Sequence, residues 1–365
     1  MKKIMVNLNP RYPIYIGRNL LGSDYLVNAC KKYASLVVII VDQKVRDLYG
    51  KPMLALFKKN HIKAHLISFK GGEKNKTRET KEKLEDAMFE LGCGRDTCIV
   101  AVGGGITTDI VGFVASTYCR GIPVIYVPTS LLAMVDASIG GKTGVDTRYG
   151  KNLIGTFYQP KAVFIDIDTL KTLPNKEFNN GLVELIKHAI IKDKKLFNYI
   201  IENARGIKKL DKKILEKIIL ISCQIKKAIV EHDEKDIGMR QLLNFGHTIG
   251  HALEQVSNYK LGHGEAVMLG IIAESYMALK LKLLSTDVFE KIKSIFGKCD
   301  IPMAKLNKTY SRPAIKKALM MDKKNVNQTP RFILIKNIGS MYVGSTGYTS
   351  VIPDEIINRG IDIIC

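Results

Sequence analysis

Short aliphatic runs alternate with amphipathic stretches through the first half of the chain. Leu36 to Asp42, His65 to Phe69, Thr97 to Val102 and Pro123 to Val127 are apolar runs of strand length. Between them Val45 to Lys59, Thr77 to Leu91 and Asp109 to Tyr118 repeat their apolar positions at helical spacing. Ala162 to Asp166 supplies one more strand. Runs without polar alternation signal strands covered on both faces, so this order predicts a parallel sheet between helical layers.

After about Leu173-Pro174 the periodicity becomes helical. Phe178 to Lys192, Lys212 to Glu231, Leu242 to Val256, Glu265 to Leu283 and Val288 to Phe296 are the expected helices. Arg331 to Ile335 and Met341 to Val343 read as a terminal hairpin. A chain of 365 residues favours two domains, and this change of character near 170–176 is the expected boundary. Ligands of such sheets bind at the carboxyl ends of the strands, in the crevice beside them.

Composition narrows the function classes. The aliphatic run Leu36 to Val41 is far short of the ~20 residues a membrane span needs. Met1-Lys2-Lys3 begins like a leader, but the apolar stretch stops at Asn7 and Pro10, so a cytoplasmic protein is expected. Seven cysteines, an odd number without a CxxC pair, fit reduced thiols, with Cys98 as core filler. The net charge of +21 comes from lysines interleaved with acids, as in Lys208 to Lys217, without zinc-finger or aromatic RNA-binding spacing. Attraction of anionic small molecules is therefore preferred over nucleic-acid binding.

Two glycine clusters stand out. Gly103-Gly104-Gly105-Ile106-Thr107-Thr108-Asp109 leads from a strand into a helix, where backbone can approach a pyrophosphate at a helix N-terminus. Thr108 occupies the third glycine position of the usual fingerprint, so a plain tight turn is the competing reading. Asp42, at a strand end, is either a ribose ligand or a helix cap. In Gly140-Gly141-Lys142-Thr143-Gly144 a nucleotide P-loop is excluded, because Asp136 stands where its first glycine belongs. Lys142 with Lys151-Asn152 is either a phosphate cradle or an ordinary surface loop.

His247 and His251 are four apart, on one helix face, and His263 follows twelve residues later. Such grouping is a common way to hold zinc, although an ordinary histidine pair has the same spacing. Thr248 replaces the glutamate of a zinc-protease helix. Glu184 is a charge inside the apolar stretch Gly181 to Lys187 and is the candidate carboxylate ligand, since a buried charge needs a partner. Together these features suggest an alcohol oxidised by NAD beside a metal, with cations holding an anion.

The runs Pro128-Thr129-Ser130-Leu131-Leu132-Ala133-Met134-Val135-Asp136, Gly140 to Gly144, Lys151-Asn152-Leu153-Ile154-Gly155 and Leu242 to Ala252 resemble those of the 3-dehydroquinate synthases, within the sugar phosphate cyclase group. The resemblance extends from about Asp42 to Lys324. It implies an α/β Rossmann-like dinucleotide-binding domain over 1–173 and a mostly α-helical metal- and substrate-binding domain over 174–365. It implies NAD contacts from Asp42, Glu73, Lys76, Gly104, Gly105, Asp109, Thr129 and Ser130, with Lys142, Lys151 and Asn152 nearby. Glu73 and Lys76 belong to Gly72-Glu73-Lys74-Asn75-Lys76, which is similar to the family's GExxK element. The implied ligands of zinc or cobalt are Glu184, His247 and His263, which moves His251 from the metal to the substrate.

The same resemblance assigns Lys226 and Arg240 to a substrate carboxylate. Lys142, Asn152, Asn244 and one of Lys323 and Lys324 fall to the phosphate, and Asp136 and Lys187 to the substrate hydroxyls. Arg120 would reach the phosphate from a neighbouring subunit, implying a homodimer. Asp236 departs from the family's usual glutamate, and Thr107-Thr108 from its more frequent turn. The implied reaction takes a phosphorylated seven-carbon keto acid through transient oxidation by NAD, phosphate elimination, reduction, ring opening and aldol closure. A metal-dependent polyol dehydrogenase would share the glycine turn and histidines but would not need Lys226, Arg240 or the phosphate lysines.

Overall fold

The computed structural model describes residues 1–303, 310–320, 329–345 and 347–365. It divides into two compact units, Met1–Pro174 and Asn175–Cys365.

In the first unit β1 (Lys2–Val6) and β2 (Tyr12–Gly17) form an antiparallel hairpin, followed by α1 (Asp24–Tyr33), β3 (Leu36–Asp42), α2 (Lys51–Lys59), β4 (Lys63–Phe69) and α3 (Arg78–Glu90). Then come β5 (Thr97–Gly103), α4 (Gly105–Thr117), β6 (Val124–Pro128), β7 (Lys142–Thr147), β8 (Gly150–Phe157) and β9 (Ala162–Asp166). The main sheet has the order β1-β2-β9-β6-β5-β3-β4, and every pairing in it after the first hairpin is parallel. All seven positions of β5 and the first six of β3 are buried, which is why neither run shows polar alternation.

Two expectations change here. Val45 to Lys59 is not one helix: a wide turn over Arg46–Gly50 precedes α2, which carries proline in its first turn. Proline cannot donate a backbone hydrogen bond and is tolerated at such a start. Lys142 and Lys151-Asn152, for which a surface loop was one of two readings, lie instead on the antiparallel hairpin β7–β8. It lies against α4, where Gly112 leaves room for Tyr126 and Thr143.

The second unit is mostly helical. Its helices are α5 (Asn175–Lys192), α6 (Lys194–Glu202), α7 (Ala204–Lys208), α8 (Lys212–His232), α9 (His247–Val256), α10 (His263–Lys280), α11 (Thr286–Lys298), α12 (Arg312–Met320) and α13 (Asp354–Asp362). Helices α5 and α10 are buried on most sides, and α10 packs on α5, α9, α11 and α13. The helix expected from Leu242 starts only at His247, because Gly246 takes a φ of 80° and ends a tight 3-10 turn over Met239–Asn244. The expected terminal hairpin is two small antiparallel pairs instead. Phe332–Ile333 pairs with Thr349–Ser350, and Ile335–Asn337 with Ser340–Met341.

All seven cysteines are free thiols, and Cys98 is buried in β5. Among the described residues no helix is long and apolar enough to cross a membrane.

Candidate active site

In the first unit the candidate residues gather where β5 and β6 end. The amide of Thr129 donates to the carbonyl of Gly103 at 2.8 Å, so the turn after β6 is tied to the turn after β5. Gly104 is the N-cap of α4, and a Cβ there would come within 3.4 Å of Ser130 Oγ. A bare backbone at a helix N-terminus is suited to a phosphate. Asp42 accepts from the Lys44 amide at 2.9 Å, which makes it a cap of the turn it begins.

Lys76 draws three segments together. It is buried, its ammonium donates to Asp109 Oδ2 at 2.6 Å, and it also reaches the side-chain oxygen of Asn152. Burial alone would lower the Lys76 ammonium, but the charge and hydrogen bond of Asp109 raise it above its ordinary value. The amide of Asn152 donates to Asp146 at 2.8 Å, the amide of Asp146 donates to the Lys76 carbonyl at 2.8 Å, and Lys151 pairs with Glu73 at 3.0 Å. Lys142 stands at the other end of the hairpin, opposite Phe157, and is exposed. Asp136, in the wide turn Ala133–Ala137, is half-buried and adds to the negative field on Asp109. Arg120 is exposed on a turn in which it and Cys119 both have positive φ, 69° and 50°.

In the second unit, Glu184, His247 and His263 each present a donor atom, and these lie within 4.8 Å of one another. Glu184 is fully buried on α5, with Oε1 3.5 Å from His247 Nε2 and 3.4 Å from His263 Nε2. Its other oxygen meets the ammonium of Lys187, one turn on and equally buried. His247 and His263 are the first residues of α9 and α10. His247 Nδ1–H donates to the Phe245 carbonyl at 3.2 Å, which can only accept, so in the neutral ring Nε2 carries the lone pair. His263 Nδ1–H likewise donates to Glu254 at 3.2 Å. Two imidazole nitrogens and one carboxylate form a fitting donor set for a divalent transition metal. His251 stacks edge-on against His247, ring centroids 5.4 Å apart, but is outside the converging set. Burial would lower His263, yet hydrogen bonds and charge from Glu184 and Glu254 carry it up to about 10.

Arg240 and Lys226 are both buried, on the 3-10 turn and on α8, which pack together. Asn244 closes the same turn. Asp233 accepts from the amides of Gly238, Arg240 and Ile237, and Arg240 Nη1 donates to the Glu234 carbonyl at 2.5 Å. Asp236 has a left-handed φ of 62° in this loop. Lys323 and Lys324 lie outside the described residues.

Among the described residues two buried glutamates escaped the sequence reading, Glu254 and Glu274, as did the buried Asp233. Glu274 accepts from the Gly246 amide at 2.8 Å and so holds the turn before His247. Both glutamates stand in apolar helical stretches, the same signal that singled out Glu184.

Against known proteins, the 3-dehydroquinate synthase N-terminal model matches residues 66–180 and the C-terminal model residues 181–325. The chain belongs to the 3-dehydroquinate synthase family. A 3-dehydroquinate synthase of Thermodesulfovibrio yellowstonii is 39% identical over 94% of this chain and 96% of its own length. One from Alkaliphilus metalliredigens is 40% identical over 93% of this chain and 94% of its own length. Among solved structures, a 2-deoxy-scyllo-inosose synthase complexed with carbaglucose-6-phosphate, NAD+ and Co2+ superposes with a TM-score of 0.88, at 26% identity and 99% coverage of both chains. A probable glycerol dehydrogenase from Sinorhizobium meliloti, covering 96% of both chains, shares the fold at 15% identity and a TM-score of 0.66.

Proposed function

We propose that this 3-dehydroquinate synthase family member converts 3-deoxy-D-arabino-heptulosonate 7-phosphate to 3-dehydroquinate and phosphate. The observation that carries the reading is the convergence of Glu184, His247 and His263 in a chain whose other unit bears the glycine turn before α4. The similar 2-deoxy-scyllo-inosose synthase, crystallised with NAD+ and Co2+, supports NAD and a divalent metal as cofactors here. Bound NAD+ supplies a hydride acceptor that is regenerated within each turnover. A divalent ion held by Glu184, His247 and His263 supplies Lewis acidity.

The remaining work falls to side chains of this chain. Gly104, Gly105, Thr129 and Ser130 take the dinucleotide phosphates, while Asp42, whose Oδ1 caps the turn after β3, takes the ribose hydroxyls with its other oxygen. Glu73, Lys76, Asp109 and Lys151 shape the rest of that site, with Lys142 and Asn152 beside it. Arg240 and Lys226 bind the substrate carboxylate, because a planar guanidinium matches a carboxylate with two parallel hydrogen bonds. Lys142, Asn152, Asn244 and one of Lys323 and Lys324 bind the phosphate. Asp136 and Lys187 orient the hydroxyls, and His251 contacts the substrate on its phosphate side. The substrate phosphate itself takes the proton from the carbon next to the transient ketone as it leaves.

Arg120 completes the phosphate site of a second copy, so the working form is a homodimer. Its exposure on a left-handed turn supports that role. The free thiols support a cytoplasmic location.

Phosphate release from the heptulosonate phosphate tests the reading, with NAD and either zinc or cobalt, before and after chelation. Release that needs both cofactors without net NADH is expected. No release with any metal, or net NADH from glycerol, overturns it in favour of a polyol dehydrogenase.

A further inference from the structure

Glu254 stands where a carboxylate should be costly. It is 3% exposed, and it lies in the last turn of α9, where the helix dipole disfavours negative charge. Its carboxylate accepts from His263 Nδ1–H at 3.2 Å, while the opposite nitrogen of that ring lies 3.4 Å from Glu184. The two candidate histidine ligands therefore differ, since His247 Nδ1–H meets a neutral carbonyl instead.

The loop between α9 and α10 is built to hold this contact. The Glu254 carbonyl accepts from Ser257 Oγ and from the Tyr259 amide, each at 2.8 Å, and Leu261 N–H donates to Ser257 Oγ at 3.2 Å. Asn258 and Tyr259 both take left-handed backbone, with φ of 51° and 60°, so the loop keeps a conformation that such residues seldom adopt. Both candidate histidines also open helices, and a helix N-terminus repels a cation. A dication beside Lys187 and two such termini is stabilised by a further negative charge in addition to Glu184.

We propose that Glu254 is a positioning residue for the metal: it fixes the tautomer and orientation of His263 and supplies a second negative charge to the site. The inference rests on the metal reading above. Partners of this kind behind a ligating histidine alter metal affinity by roughly ten- to a hundredfold.

The test is the zinc affinity of the metal-free full-length protein, read by competition with a chromophoric chelator. Glu254→Gln keeps the shape and an acceptor for Nδ1–H but loses the charge, and should weaken zinc roughly tenfold. Glu254→Ala loses both, and should weaken it roughly a hundredfold, with NAD affinity unchanged in each. Should the alanine variant not fold, the isosteric glutamine variant carries the test. Zinc affinity within about twofold of the unsubstituted protein in the folded glutamine and alanine variants overturns the role of Glu254. His247→Ala, measured in parallel, separates the two levels. If it too keeps its zinc, the metal site itself is misplaced.

Discussion

The backbone N–H of Arg240 donates to the carboxylate of Asp233 at 3.0 Å, seven residues upstream. With the Gly238 and Ile237 amides on the same carboxylate, Asp233 folds the loop that presents the Arg240 guanidinium. Asp233→Ala leaves those amides without their charged acceptor and should cost about 1–3 kcal/mol of stability. The KM for the anionic substrate should rise while NAD affinity stays the same. Urea denaturation and steady-state kinetics check this, and equal losses for substrate and NAD would contradict it.

The same carboxyl sets a pH dependence. Desolvation would raise it, but the amides of Gly238, Arg240 and Ile237 hold it below its ordinary value. A group whose folded pKa is lowered adds stability above its unfolded value, about 3.9, and loses it as pH falls through the folded value. Stability should therefore drop below about pH 4 partly through Asp233. In Asp233→Asn that part of the slope should vanish, as urea midpoints taken from pH 6 down to the acid limit would show.

Lys76 and Asp109 form a pair withdrawn from solvent, with 4% and 22% of their side chains exposed. Lys76→Ala strands the carboxylate and should destabilise the first unit by about 3 kcal/mol, the lower end for a broken buried pair because Asp109 keeps some water. NAD affinity should fall as well, and Asp109→Asn in the same chain should recover part of the stability. A double-mutant cycle of thermal denaturation measures the coupling, and additive losses would refute it.

Gly246 controls His247. A Cβ at Gly246 would lie 2.6 Å from Ile271 Cγ1 and 2.9 Å from the Val267 carbonyl oxygen, on backbone with a φ of 80°. Gly246→Ala should cost about 2–4 kcal/mol through left-handed strain and overpacking together. It should also abolish tight zinc binding while sparing NAD, which equilibrium dialysis against each ligand would reveal.

The hydroxyl of Tyr126 is buried between β6 and α4 with no hydrogen-bond partner among the described residues. Tyr126→Phe removes an unsatisfied polar atom and should leave stability unchanged or raise it by about 1 kcal/mol. A clear drop in melting temperature would show that the hydroxyl has a partner.

The strands β3, β5 and β9 were legible because each is buried on both faces and therefore written as an uninterrupted apolar run. The hairpin β7–β8 was not, since glycines, lysines and threonines dominate it and its shape depends on resting against α4. Leu242 to Val256 looked like one helix because its apolar spacing continues across Gly246. The break there rests on a close approach to α10 that no local pattern records.

By itself the sequence determined the two-unit plan, the glycine turn and the residue types for dinucleotide, metal and anion chemistry, because burial and turn geometry restrict which residues can stand there. From spacing alone, His247, His251 and His263 were equal candidates for a metal. The family resemblance already favoured His247 and His263. The tertiary structure supplies the physical reason, since these two converge with Glu184 on a helix more than sixty residues away. Only the folded chain pairs Glu254 with His263 and Glu274 with Gly246, too. Helical spacing says which side chains share a face, whereas packing between helices says which donor atoms meet.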